Sequence, residues 1–380
     1  MRTLEMDMDK LLEIVDLDYD RIKLAKQRQR AVFRHEKPDR WPILIVDRLT
    51  PIQEKELPND LPDHQVYTFE NRLCRGLRQI CSMVNSRSDL VPSVYPDFGT
   101  YRWTECLGMK SNLTESGYWA PDPMPREKIR DLNVDDIKLS GRAKDSVDFI
   151  KYVRECLGNE INTGCDSAQS PFGVAKAVMG NDILTEIYDS PDLVHHIMEI
   201  SLELLKRYVT WMKEAAGVPM HTSGISGLYS ENFGLQISED PAVLLSPQSI
   251  NEFSMPYSRR LANQFGGASV HYCGRHDGLT KAIWDEPALK GINFGIVPGK
   301  VHDQRFEWVM DGCLKSGTVY YGEWPRRNDE TFKNYLRRLY HWASQGCLIP
   351  EIHPCQSCVD ETILKDNPRL IGDLWEELHV

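Results

Sequence analysis

No apolar run in the 380 residues approaches the roughly 20 needed to cross a bilayer as a helix. The N-terminus, MRTLEMDMDKLLEIVDLDYD, is acidic where a secretory signal would be basic and then apolar. The expected location is therefore the cytoplasm, with no membrane contact. An excess of basic charge is also missing. Lys and Arg number 45 against 56 Asp and Glu, a formal charge of -11, which argues against an extended nucleic-acid surface. No Gly-x-Gly-x-x-Gly follows the first apolar run, and Gly291 to Lys300 lacks the spacing and hydroxyl of a phosphate-binding loop. There is no internal repeat and no low-complexity tract. Ten cysteines are scattered through a chain long enough to form a large core, so they read as thiols, some of them open to metal ligation or catalysis.

What is present is a recurrence of short apolar or β-branched runs, each followed by a longer helical pattern. Eight such runs stand at 43–46, 90–95, 160–165, 220–225, 268–273, 291–295, 318–322 and 348–352. Eight βα units close into a barrel without leaving an exposed sheet edge, so the expected fold is one α/β domain over 1–380, a (β/α)8 TIM barrel. A doubly wound open sheet is the alternative. Ser190-Pro191 predicts a capped start for a helix over 191–216 that stops at Gly217, and Ser246-Pro247 predicts another that Pro256 kinks. The first 40 residues read as a helical extension, a lid over the barrel bottom or the contact of a homodimer. Residues 99–140, with Trp103, Trp119 and three prolines, read as an insertion after strand 2 over the active-site mouth.

Period two in a strand places His271 and Cys273 on one side of the fifth run, facing the barrel interior at its C-terminal mouth, and Tyr272 on the other. The eighth run leads into Glu351-Ile352-His353-Pro354-Cys355-Gln356-Ser357-Cys358. Two thiolates, one imidazole and an exchangeable fourth position describe a catalytic zinc site. Against this stands the plain alternative of buried core residues, since free Cys is among the most buried residue types.

His271-Tyr272-Cys273-Gly274, followed by a cysteine in the segment Gly346-x-Leu348-Ile349-Pro350, resembles the zinc motif of the corrinoid-dependent methyltransferases in the uroporphyrinogen decarboxylase superfamily. His35-Glu36-Lys37-Pro38-Asp39-Arg40-Trp41-Pro42, Ser170-Pro171-Phe172-Gly173 with Met179-Gly180, and Leu245-Ser246-Pro247 with Pro256-Tyr257 resemble other stretches of that superfamily. The resemblance covers roughly residues 30 to 370. It implies a barrel holding zinc, a small-molecule methyl donor or acceptor, and cobalamin carried by a partner corrinoid protein. In the resembled enzymes the metal holds an acceptor thiol as thiolate, or activates a methyl donor in the opposite direction. The chain departs from true uroporphyrinogen decarboxylases, whose arginine-rich RQAGR loop is replaced here by Val46-Asp47-Arg48-Leu49-Thr50.

Cys347, Cys355 and Cys358 all lie near the position expected for a third zinc ligand. Cys355 is preferred because it follows the strand end, whereas Cys347 precedes the run and falls toward the barrel bottom. Glu231, after the fourth run, is a candidate fourth ligand, with Tyr229 and Asp166 as further catalytic candidates. Asp97, Phe172, Glu323 and Trp324 are candidates for substrate binding. For each the plain alternative is a solvated loop carboxylate or core packing. His276 is a candidate support for the metal ligands. Two other functions remain open: a metal-free decarboxylase or lyase, and a non-catalytic barrel that binds a corrinoid or tetrapyrrole. Zinc content separates both from the methyltransferase.

Overall fold

The structure is a computed structural model that describes residues 8–57, 68–113, 119–158, 161–164, 167–225, 227–295, 305–354, 364 and 366–379. Its strands are β1 (Leu44–Ile45), β2 (Ser93–Val94), β3 (Ser111–Leu113), β4 (Trp119–Pro121), β5 (Asn162–Thr163), β6 (Ser167–Gln169), β7 (Ser223–Ile225), β8 (Leu228–Ser230), β9 (Leu235–Ser238), β10 (Ala268–Cys273), β11 (Leu289–Gly295), β12 (Val319–Glu323) and β13 (Leu348–Ile352). Seven of them form one parallel sheet in the order β1-β13-β12-β11-β10-β9-β6, and β5 pairs in parallel with β2. With β5 and β6 as two pieces of the third strand, the chain is an α/β TIM barrel whose helices flank the sheet.

Between β1 and β2, side chains stand in for part of the ladder. Asp89 donates its amide to Ile43 O at 2.9 Å and accepts Ile43 N at 3.1 Å, while Ser88 Oγ accepts Ile45 N at 3.0 Å. The Asp89 carboxylate is almost wholly buried and is held by Arg28 and Arg40, each at 2.8 Å. Arg28 belongs to the N-terminal helix Tyr19–Phe33, so the extension is tied to the barrel at this seam.

The helix Pro191–Ala216 forms with its expected bounds and ends at Gly217, whose φ of 64° suits glycine. Ser190 occupies its N-cap position but makes no capping bond; its hydroxyl is taken by Arg126 instead. Ser246 does cap, accepting Ser249 N at 3.1 Å, and a π-turn over Ile250–Ser254 precedes Pro256. Between β2 and the helix Gly141–Leu157 lie the antiparallel hairpin β3–β4 and a 3-10 helix, Arg102–Leu107. Among the described residues no helix is long and apolar enough to cross a membrane.

The fourth barrel strand is not where the sequence places it. The run at 220–225 contributes β7, one arm of an antiparallel hairpin with β8 that turns at Gly227, where φ is +83°. The strand that pairs with β10 is β9, Leu235–Ser238.

Candidate metal centre

Long-range contacts fix which side chains face the barrel interior. Tyr321 Oη on β12 accepts from Gln236 Nε2 on β9 at 2.5 Å and donates to Ser269 Oγ on β10 at 3.1 Å. These bonds span several strands and pass through the interior. Period two then turns Gln236, Ser238, Ser269, His271, Cys273, Tyr321 and Glu323 inward. Tyr272 points out, its hydroxyl bonded to Thr280 of the helix Asp277–Trp284 at 2.5 Å.

At the C-terminal ends of β9 and β10, one ligand atom each from Asp240, His271 and Cys273 lies within 4.8 Å of the others. Cys273 Sγ is 3.5 Å from His271 Nε2, and the Cys273 amide donates to Asp240 Oδ1 at 2.6 Å. The second Asp240 oxygen accepts from Ser238 Oγ at 2.8 Å. The imidazole is oriented from behind. Asn293 Nδ2 donates to Tyr321 O at 2.6 Å, which leaves Asn293 Oδ1 facing His271 Nδ1, also at 2.6 Å. Because Oδ1 can only accept, the His271 proton sits on Nδ1 and the Nε2 lone pair faces Cys273 and Asp240. That is the tautomer a metal-binding histidine needs, held by the kind of outer partner metal sites use. Gly295 completes the cradle, since a Cβ there would collide with Cys273 Sγ.

Burial first, and the Asp240 carboxylate second, push the Cys273 thiol up to about 11. A thiolate at neutral pH therefore requires a cation at this point. One carboxylate, one imidazole and one thiol on adjacent strand ends suit zinc, which accepts oxygen, nitrogen and sulfur donors together.

Asp240 was not among the candidates read from sequence. It follows β9, and the pattern Leu235-Gln236-Ile237-Ser238 is the signal that would have found it: a four-residue strand whose end carries an acid. Misplacing the fourth strand also misdirected Glu231 and Tyr229, which the structure moves away from the mouth. They precede β9, at its N-terminal end, whereas Asp240 follows its C-terminal end. The Glu231 carboxylate is engaged by Arg30 and Arg34, both at 3.4 Å, and by the Tyr229 hydroxyl at 2.9 Å, so the pair anchors the N-terminal helix.

Other candidates divide by strand face. Glu323 ends β12 on the inner side. Trp324, the next residue, points the other way and is buried against Phe294, Phe306 and Tyr320, which corrects its substrate-binding role to core packing. Phe172 is wholly buried in the helix Pro171–Met179 and is likewise core. Asp97 is exposed beyond β2, where its carboxylate accepts Gly99 N at 3.2 Å and shapes a turn. Cys347 is buried at the N-terminal start of β13 with Sγ toward Trp342 O at 3.4 Å. Asp166, Cys355 and Cys358 lie outside the described residues.

His276 links the two loops that carry the cluster. Leu279 N donates to its Nδ1 at 2.9 Å, capping the helix Asp277–Trp284, so its proton is on Nε2 and is given to Leu245 O at 3.0 Å. Leu245 is the C-cap residue of the 3-10 helix Asp240–Leu244. His276→Asn keeps a good N-cap but cannot span to Leu245. The variant should retain its thermal midpoint and lose on the order of tenfold in zinc affinity, measured by competition with a chelating dye. Unchanged affinity would show that the loop holds Asp240 without this clamp.

No curated protein matches the chain. The family model described as Uroporphyrinogen decarboxylase (URO-D) matches residues 103–296, just over half of the sequence. That span holds Asp240, His271, Cys273 and Asn293. The barrel and the matched span together place the chain in the uroporphyrinogen decarboxylase family.

Proposed function

We propose that this protein is a zinc-dependent methyltransferase that moves a methyl group between a small molecule and the cobalamin of a partner corrinoid protein. The observation that carries this reading is the convergence of Asp240, His271 and Cys273 within 4.8 Å, with the His271 tautomer set by Asn293. Decarboxylation of a polyanionic tetrapyrrole is less well supported. Among the described residues, no inward position of β6 or β9 to β13 is a Lys or Arg, and the loop after β1 reads Val46-Asp47-Arg48-Leu49-Thr50. A substrate with many carboxylates would meet Asp240, Glu323 and Glu351 there and no inward Lys or Arg on these strands to pair with.

In this site Asp240, His271 and Cys273 would hold the metal, with Cys355 the further ligand expected from sequence. Bound zinc would supply Lewis acidity, stabilising a substrate thiolate or polarising the heteroatom of a methyl donor. The chain's own part is positioning. Asn293 keeps the His271 proton on Nδ1, Ser238 and the Cys273 amide hold the Asp240 carboxylate, and Gly295 leaves room beside the thiol. The test is an optical titration of the zinc-loaded protein with methylcobalamin or a methylated corrinoid protein and candidate thiols, and with reduced corrinoid and candidate methyl donors. Conversion of the corrinoid spectrum that is lost on chelation supports the reading. No conversion in either direction, or conversion indifferent to chelation, rejects it.

A further inference from the structure

One carboxylate at the mouth has no work in the metal centre. Glu323 ends β12 on the inner face, in register with Glu351 of β13. Glu351 is engaged, its Oε1 2.9 Å from His353 Nε2. Glu323 is half-buried, and while its backbone carbonyl accepts from Tyr320 Oη at 2.9 Å, its carboxylate has no hydrogen bond or ion pair among the described residues. A carboxylate taken out of water without a partner costs free energy, and a strand end in a barrel mouth is where substrate supplies the missing partner. The charged and titratable groups around it are Glu351 and His353 on β13 and beyond, with Tyr321 below it on its own strand. Across the mouth, on β9 and β10, stand Asp240, His271 and Cys273.

We propose that Glu323 is the catalytic proton donor to the leaving atom of a methyl ether substrate. This rests on the methyl-transfer reading and gives it a direction, from substrate to corrinoid. The chemistry selects oxygen. A tertiary amine leaves an ammonium as a neutral molecule and a thiolate is a stable anion, so neither needs an acid, whereas an alkoxide or phenolate is a poor leaving group without one. As the methyl carbon–oxygen bond breaks, its electron pair goes to oxygen, which takes the proton from the Glu323 carboxyl. The methyl carbon is bonded through the electron pair of a Co(I) corrinoid carried by the partner protein. The Glu323 carboxylate then regains a proton from solvent.

The environment fits a donor. Burial first, with Glu351 adding to it and His353 opposing, raises the Glu323 carboxyl above its ordinary range, so more of it is protonated near neutrality than of an exposed glutamate.

The test has two arms. In the first, infrared difference spectra of the zinc-loaded wild type and Glu323→Gln are followed as the pH is lowered, without substrate or corrinoid. The carbonyl stretch missing from the variant should appear in the wild type at a higher pH than that of an exposed glutamate; a band that appears only in the ordinary carboxyl range, or none, overturns the proposal. In the second, methoxybenzenes whose phenols span a range of acidity are demethylated in the presence of reduced corrinoid protein. Glu323→Gln should lower kcat by about 10²- to 10⁴-fold with little change in KM. The loss should be greatest for the least acidic phenol, and Glu323→Asp should recover part of it. An active wild type matched by the Gln variant, or a loss equal for all phenols, overturns the proton-donor role and leaves the methyl-transfer reading standing. A wild type that moves no methyl group with any substrate in either direction overturns both.

Discussion

His271→Ala and Cys273→Ala each take the zinc content from about one per chain to near none, measured by elemental analysis after dialysis, while the circular dichroism of the barrel is unchanged. The size of the effect follows from coordination number. Removing one of three or four protein ligands leaves a site that ordinary buffer chelators outcompete. The fold survives because the two side chains face the mouth, whereas Val270 and Tyr272 between them carry the packing of β10 against the helices. Asp240→Ala should weaken binding and also release the Cys273 amide from its 2.6 Å bond. The cysteines near β13 separate by position. Cys347→Ser should change zinc content hardly at all, because Sγ is buried at the opposite end of a strand whose five residues rise roughly 3.3 Å each. Cys355→Ser should lower affinity severely, and Cys358→Ser modestly. Zinc lost from the Cys347 variant alone would place the centre deeper in the barrel.

Arg102→Ala is expected to destabilise the protein by about 3 kcal/mol or more, read as a fall in the denaturant midpoint. This arginine is 2% exposed, and its guanidinium donates to Tyr208 Oη at 2.7 Å, Gly99 O at 2.9 Å and Tyr95 Oη at 3.2 Å. It also lies 4.7 Å from the centre of the Trp103 ring. Truncation therefore strands three acceptors and opens a cavity among aromatic rings, two penalties that add. Arg102→Lys keeps the charge but lacks the planar fork, so it should lose less than alanine and clearly more than nothing. A wild-type midpoint in the alanine variant would mean that the Arg102–Leu107 segment contributes little to the core.

The features legible in the sequence were those set by local pattern. The pair His271 and Cys273 follows from period two alone, and the helix Pro191–Ala216 from its proline start and glycine stop. The barrel follows from the count of βα units. Failures arose where local pattern and long-range pairing disagree. The run at 220–225 is richer in strand-forming residues than Leu235–Ser238, but Gly227 folds it into a hairpin, and only pairing with β10 distinguishes the barrel strand. That single displacement sent Glu231 and Tyr229 to the mouth on paper and hid Asp240. Phe172 is wholly buried in a helix, and Trp324 departs from its expected place for another reason. Neighbouring strand residues face opposite sides, so Glu323 and Trp324 cannot both line the interior, and the choice was decided by Tyr321 reaching across to Ser269. Nothing in the sequence marks Asn293 as the support of His271, since the contact joins β11 to β10 through the register His271↔Asn293.

Anomalous diffraction at the zinc edge, on crystals of protein grown with zinc, tests the proposed centre at Asp240, His271 and Cys273. One strong peak is expected at the C-terminal mouth of the barrel, about 2.0–2.1 Å from His271 Nε2 and about 2.3 Å from Cys273 Sγ. A peak elsewhere in the chain, or none at this cluster while zinc is present in solution, would contradict it.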